Sequence, residues 1–507
     1  MSFIAVALPP GVYKNGTEYQ ARGRWKDSDG VRWTEGTIRP IGGWAAVQLV
    51  VGGVSSFAGA LSGVPRGAVS WRTSTNTEWF VVGLTIGLTA YSRGELFDIT
   101  PAGLIPGRQD AGASSGIGSY GYGAYGFGLY STGSLAVAEL PPDTWTLDTF
   151  GNFLVGVLTS DGKVYSWASN SGVHATVVAG APITNTAVVV TPERFLFVLG
   201  AGGNMKKVQW PSRETLTDWM PTSVNDAGGY ELQTNGVIVC GKRSRTQTLI
   251  WTTTDVHAAS FIGGDFIYSF TLLGENCGII SPNAASVEAG VAFWMGTRSF
   301  FVYDGFVKTL PCDVSDFVFG NINYAQRAKI FAYGEPEFGE VWWFYPSTDS
   351  VENDRYVVYN YRENHWAVGS LARAAGVSRG AFARPILADK DGMLFEHETG
   401  NVRGGVTAYL ESGPIDLGLG DQMVMVRQIV PDERTFGEVQ MRVFGKRYPT
   451  DTDTMTALLP IHQPTDCRLT ARHLRIRIAE NTNSFTGGHV NWRVGTFRLD
   501  VVPRGLR

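Results

Sequence analysis

The chain has 507 residues and a mass of 55.0 kDa; it is 44% hydrophobic and 17% charged and carries 63 glycines. That profile excludes coiled coil and disorder and leaves ample length for a buried core. The net charge of −4 is uneven, about +2 over residues 1–50, −9 over 51–400 and +3 over 401–507, so an acidic body between weakly basic ends excludes a strong phosphate grip while allowing DNA to slide past.

Aromatic residues make up 12% of the chain, a load that fits pleated, half-buried surfaces better than helix faces. The opening Met1-Ser-Phe-Ile-Ala-Val-Ala-Leu-Pro-Pro10 lacks a basic leader and ends in two prolines, so it is a poor signal peptide. No stretch offers 18 uncharged apolar residues, and no membrane span is expected. Residues 1–65 read as an extended arm. Pro9-Pro10-Gly11, Asn15-Gly16-Thr17 and Arg39-Pro40-Ile41-Gly42-Gly43-Trp44 place chain breakers at short intervals. Such an arm is stable only when docked on its own body or on a neighbouring subunit.

Residues 66–403 form the body, with short β-patterned runs separated by Gly, Asn and Asp turns. A turn glycine followed by apolar and aromatic residues recurs in Arg93-Gly94-Glu95-Leu96-Phe97, Asp161-Gly162-Lys163-Val164-Tyr165 and Asp391-Gly392-Met393-Leu394-Phe395, and more loosely in Tyr303-Asp304-Gly305-Phe306-Val307. Gly162 and Gly203 stand 41 residues apart, within the roughly 40–50 residues of a propeller blade. The fold expected is all-β, a β-propeller of six to eight blades; unrelated hairpins in a large sandwich are the alternative. Inside this body, residues 112–133 nearly alternate glycine with tyrosine or phenylalanine. The rings of Tyr120, Tyr122 and Tyr125 either contact a partner or sit in a surface loop without a role.

Residues 404–507 change character. Val424–Val430, Val439–Phe444, Arg468–Ile478 and Trp492–Val501 alternate apolar and polar residues, often with arginine on the polar face. Period two means one face buried and one solvated, and a separate antiparallel β-sandwich is expected.

Catalytic patterns fail on context. Gly112-Ala113-Ser114-Ser115-Gly116 matches a nucleophile elbow and Gly116–Gly121 a phosphate loop, but both motifs need a following helix, and glycine-rich sequence follows instead. The seven histidines are dispersed, and Cys240, Cys277, Cys312 and Cys467 stand far apart, which supports neither a zinc site nor a dense disulfide framework. Glu396-His397-Glu398 is the densest ligand candidate; on a strand its carboxylates take one face and its imidazole the other, the pattern of a solvated edge. Thr159–Trp167 contains one partial copy of an aspartate-box turn, a structural element. No catalytic, cofactor-binding or metal-ligating residue is therefore assigned, and no enzyme is expected. In the arm, Arg24, Trp25, Arg39 and Trp44 are the candidate assembly contacts, since aromatics and arginines dominate interface energies. The alternative is that both tryptophans cover the edge of the first blade. Trp342 and Trp343 point to opposite faces of one strand, one for the core of its sheet and one for a contact between sheets or subunits.

Several segments together resemble a known group. Ala7–Tyr19, Gly23-Arg24-Trp25 and Ile38–Trp44 resemble the amino-terminal signature of tailed-bacteriophage virion structural proteins. Phe293-Trp294-Met295-Gly296, Phe301–Gly305, Glu340–Ser347, Tyr359-Asn360-Tyr361-Arg362 and Glu411–Gly418 extend the resemblance along nearly the whole chain. It implies a tail component similar to the nozzle or stabilisation proteins of short-tailed phages. Those are β-propeller proteins set in a ring below portal and adaptor, which close the DNA channel and carry fibres or a needle. The resemblance implies a homo-oligomer, a hexamer by preference, made in the host cytoplasm and located in the virion tail. Genomic DNA would pass without sequence-specific binding. A propeller that binds or cuts host-surface carbohydrate, as fibre and spike components do, is the alternative function, and an intracellular scaffold a third.

Overall fold

The computed structural model describes residues 2–51, 54–56, 61–113, 139–264, 266–416, 422–481 and 491–505. The chain is nearly all β; among the described residues the α-helix is the five-residue Ser315–Phe319. Beginning at Pro65, four-stranded antiparallel sheets follow one another, each a simple meander. Their first strands are Pro65–Arg72, Trp145–Phe150, Ala187–Val190, Ile238–Arg243, Ala285–Glu288, Phe331–Glu335 and Ala375–Val377. Each first strand lies beside the next in chain order, and Ala375–Val377 lies beside Pro65–Arg72. This is the strand order of a β-propeller. The fourth strand of the last sheet is supplied by the arm: Trp44–Ala46 pairs with Leu394–His397, with Trp44 opposite His397.

The turn glycines fall where the meander reverses. Gly162 and Gly203 both connect the second and third strands of consecutive sheets, and Gly392 does the same in the last sheet, whereas Gly94 and Gly305 connect third to fourth strands. Gly162 takes φ 65° and Gly392 φ 79°, left-handed backbone that suits glycine.

Neighbouring sheets are held by apolar wedges. Trp145 of the second sheet fills space left by glycines of the first, where a Cβ on Gly83 would stand 2.3 Å from the indole; its Nε1 donates to the Leu84 carbonyl at 2.8 Å. Trp71, Trp79 and Trp167 pack between the same two sheets, with Trp79 and Trp167 edge-to-face at 4.9 Å. Phe80, Val82 and Leu84 of the first sheet meet Ile386, Ala388 and Leu394 of the last, together with Val47, Leu49 and Leu61 of the arm.

The carboxy-terminal region forms two further sheets, and the arm enters both. In one, Ser2–Val6 pairs with Phe497–Pro503, followed by Val424–Pro431 and Thr465–Ala471. In the other, Trp25–Asp29 pairs with Tyr409–Ser412, followed by His473–Glu480 and Val439–Lys446. Val439–Lys446 and His473–Glu480 alternate buried and partly exposed residues along their whole length, the period-two pattern of the sequence. Their inward residues, with Val426, Ile429, Leu499 and Val501 of the other sheet, belong to a core continuous with the fourth, fifth and sixth body sheets. The carboxy-terminal sheets and the body are therefore packed together as one apolar mass.

Candidate functional site

The first strands of the body enclose an axial channel with three parts. A wide mouth of about 1190 Å³ lies at the loops that lead into the strands and includes Asp143, Met205, Ile280, Arg298, Phe319 and Arg327. A constriction of about 40 Å³ shares walls with both ends and is lined by Arg66, Thr144, Asn283 and Lys329. Beyond it opens a chamber of about 570 Å³ that carries Asp148, Lys242, Arg243, Glu288 and Arg379.

The constriction is fixed by charge. Arg66 and Lys329 are both buried; Arg66 Nη2 lies 2.6 Å from Glu352 Oε1, and Lys329 Nζ lies 2.9 Å from that oxygen and 2.6 Å from Asp110. Asn283 spans the inner strands, donating to the carbonyls of Trp145 at 3.2 Å and Arg66 at 3.4 Å. Two cations and two carboxylates cancel, the condition under which buried charge is tolerated. In the chamber, Asp148 accepts from the Val190 amide at 2.8 Å and meets Arg243 at 3.4 Å. Glu288 accepts from the Ser286 hydroxyl, and burial raises its carboxyl above the ordinary range. The acidic charge of the body is thus not concentrated on the axis, whose walls carry both signs. Among the described residues there is no group of three His, Cys, Asp or Glu placed to hold a metal ion. No helix among them is long and apolar enough to cross a membrane.

The arm candidates are brought onto the chain's own body. Trp25 is buried in the shared core. Trp44 stacks on His397 at 5.4 Å with 21° between planes, and the Arg373 guanidinium lies 5.2 Å from the Trp44 ring. Both indoles are consumed by contacts within this chain, because each lies on an arm strand paired into a sheet. Arg24 forms an ion pair with Asp313 and lies over the Tyr13 ring, and Arg39 donates to Thr34 Oγ1 at 3.0 Å with its guanidinium 5.2 Å from the Phe338 ring. Tyr120, Tyr122 and Tyr125 lie outside the described residues.

The Glu396-His397-Glu398 cluster is not a solvated edge. His397 is buried, accepts from Arg373 Nε at 2.9 Å and is held neutral by burial and by that guanidinium. Glu398 takes φ 57° just past the strand and turns to Arg32. Trp342 and Trp343 are both buried: Trp342 packs on Tyr356 at 4.8 Å, while Trp343 meets Phe300 of the preceding sheet at 4.9 Å and donates to the Ala284 carbonyl.

Sequence reasoning overlooks a buried charged tie of the arm. Arg32, on the hairpin formed by Val31–Thr34 and Thr37–Pro40, is 3% exposed. Its guanidinium grips Glu340 of the sixth sheet at 2.9 and 3.1 Å and Glu398 of the seventh at 2.8 and 2.9 Å. The Phe338 ring lies 3.7 Å from it. The available signal was an arginine set between the apolar Val31 and Trp33 of one strand.

No protein-family model matches the chain, and no curated protein does. Among solved structures it is similar to a virginiamycin B lyase of Staphylococcus aureus, at 6% identity over 70% of this chain and 99% of that one, with a TM-score of 0.40. It is also similar to the Pan2 WD40 domain of Neurospora crassa, at 10% identity over 73% of this chain and 98% of that one, with a TM-score of 0.39. Both are β-propeller proteins.

Proposed function

We propose that this chain is a non-enzymatic structural protein of a bacteriophage tail, a subunit of a ring set below portal and adaptor that supports fibres or a needle. In this reading it is a seven-bladed propeller, closed by the arm strand Trp44–Ala46, with a carboxy-terminal β-sandwich that includes two arm strands. The observation that carries the reading is the strap: the amino-terminal segment that bears the phage-like signature is locked across the last two body sheets and both carboxy-terminal sheets. A body braced at both ends suits a part that transmits force and holds shape. The axial constriction has room for about one water molecule. DNA therefore passes between several copies and not through one.

Because Trp25 and Trp44 are occupied internally, contact between copies falls to exposed apolar side chains in the loops that lead into the outer strands of the third and fourth sheets and on the outer strand of the fourth. Phe266 is 77% exposed and Val224 92%, with Met220, Ile262 and Leu272 also exposed. Tyr230 of the third sheet stacks on Phe270 of the fourth at 4.5 Å, which joins the two outer strands into one surface. Exposed apolar clusters of this kind mark interaction sites. Native mass spectrometry and light scattering test the proposal. Phe266→Asp is expected to abolish ring assembly with an unchanged melting transition, whereas Trp44→Ala is expected to lower the melting transition of the monomer. A parent chain that stays monomeric at micromolar concentration with the other tail proteins present, or its location at a peripheral fibre in virion images, overturns the reading.

A further inference from the structure

A second cavity lies away from the axis, in the carboxy-terminal region. It has a volume of about 160 Å³ and is formed where the arm segment Thr17–Tyr19 crosses the sheet that contains Val439–Lys446 and His473–Glu480. That is below the roughly 300–1,000 Å³ of a site for a drug-sized ligand, so it holds a single ring.

Its floor is a histidine–aspartate pair. Asp416 is buried; its Oδ1 lies 2.9 Å from His473 Nδ1 and its Oδ2 lies 2.7 Å from Arg22 Nε. Nδ1 is thereby committed, and Nε2 is the imidazole nitrogen with no hydrogen bond among the described residues. The Tyr19 ring, half exposed, stands edge-on to the imidazole at 5.9 Å. On the far wall Arg475 is shared between Glu411 and Asp453. Lys446 Nζ stops 3.9 Å from Asp453 Oδ1, beyond hydrogen-bond distance, and makes no hydrogen bond among the described residues. Glu18 is tied through one oxygen to Lys26, which holds its carboxyl below the ordinary range.

Two properties select the occupant. Lys446 and Arg475 balance Glu18 and Asp453, so the walls give no net attraction to an anion or a cation. The remaining groups are a mixture of donors and acceptors around one aromatic ring and the edges of Pro414 and Pro449. Hydroxyls that both donate and accept match the first property, and a ring with an apolar face matches the second. We infer that this cavity binds one neutral hexopyranose unit of a carbohydrate, with a sugar face against Tyr19 and its hydroxyls on His473 Nε2, Lys446 and Asp453. The inference stands apart from the tail proposal, since a monomer with no role in a ring would bind the same sugar.

Saturation-transfer NMR on the full chain tests it, with methyl glycosides of glucose, galactose and mannose as probes and inorganic phosphate and N-acetylneuraminic acid as charged comparisons. At least one neutral glycoside is expected to bind with a millimolar Kd. Tyr19→Ala and Lys446→Met, both partly exposed positions, are each expected to weaken that binding at least tenfold with an unchanged melting transition. Failure of all three neutral glycosides overturns the inference, as does equal binding by the Tyr19→Ala variant. Binding confined to phosphate or N-acetylneuraminic acid overturns it too, by showing a site for anions.

Discussion

Removing the Arg32 guanidinium leaves Glu340 buried with, among the described residues, a single remaining donor, Trp342 Nε1 at 3.0 Å, and leaves Glu398 with the Gly42 amide at 3.1 Å. Truncating one partner of a buried ion pair costs about 3–5 kcal/mol, because the charge left behind has lost both water and its counter-ion. Glu340 is the fully buried partner and sets the size of the loss. For a chain of 507 residues about 1 °C of melting temperature accompanies each kcal/mol, so Arg32→Ala is expected to melt about 3–5 °C lower at pH 8. Burial already raises the Glu340 carboxyl above its ordinary range, and losing the arginine raises it further. A carboxyl whose native pKa lies above the unfolded one keeps its proton longer in the native state, so stability falls as pH rises through that window and is recovered on acidification. The deficit of Arg32→Ala is therefore expected to shrink at pH 5, and adding Glu340→Gln to Arg32→Met is expected to restore much of the loss at pH 8. Arg32→Lys keeps the charge but not the planar fork that meets two carboxylates, and falls between. Differential scanning fluorimetry at the two pH values measures all four variants. A change of less than about 1 °C for Arg32→Ala, or a deficit equal at both pH values, refutes the claim that this arginine locks the strap by charge.

Two other expectations concern buried titratable groups. Burial and the nearby Glu398 raise the Glu335 carboxyl from 4.5 to about 7, and its Oε2 is buried without a hydrogen-bond partner among the described residues. Between those values the native state holds a proton that the unfolded chain has released, so stability declines with rising pH by about 3 kcal/mol in all. Glu335→Gln is expected to flatten the melting profile between pH 5 and 7 and to exceed the parent at pH 8; parallel profiles would show that the carboxyl titrates normally. Burial pushes the thiols of Cys240 and Cys312 up to about 12 and those of Cys277 and Cys467 to about 11. At pH 8 all four are expected to resist iodoacetamide until denaturant is added, and rapid native alkylation read by mass spectrometry would contradict that burial.

Turns and strand faces were legible in the sequence because they are local. Gly162 and Gly203 mark the same reversal in consecutive sheets, and the alternation in Val439–Lys446 and His473–Glu480 states which side chains go inward. Pairings across the length of the chain leave no local trace. Nothing in Ser2–Val6 names Phe497–Pro503 as its neighbour, nor does Trp44–Ala46 name Leu394–His397. The arm therefore reads as a tether in sequence and becomes part of three sheets in space. Residue type misled for the same reason: Trp25 and Trp44 have the chemistry of interface anchors, and their burial is decided by partners hundreds of positions away. Arg32 shows the converse, a cation whose two carboxylates become neighbours only when the sixth and seventh sheets are complete.

Ser2–Val6 is antiparallel to Phe497–Pro503, and that pairing imposes an order on synthesis. The ribosome releases the first strand long before its mate exists, so the strand waits with an open edge, the feature most prone to stray pairing. The joins between far-apart segments close last and slowest. A polypeptide interrupted before Phe497 keeps that edge bare, and a copy translated through Pro503 hides it.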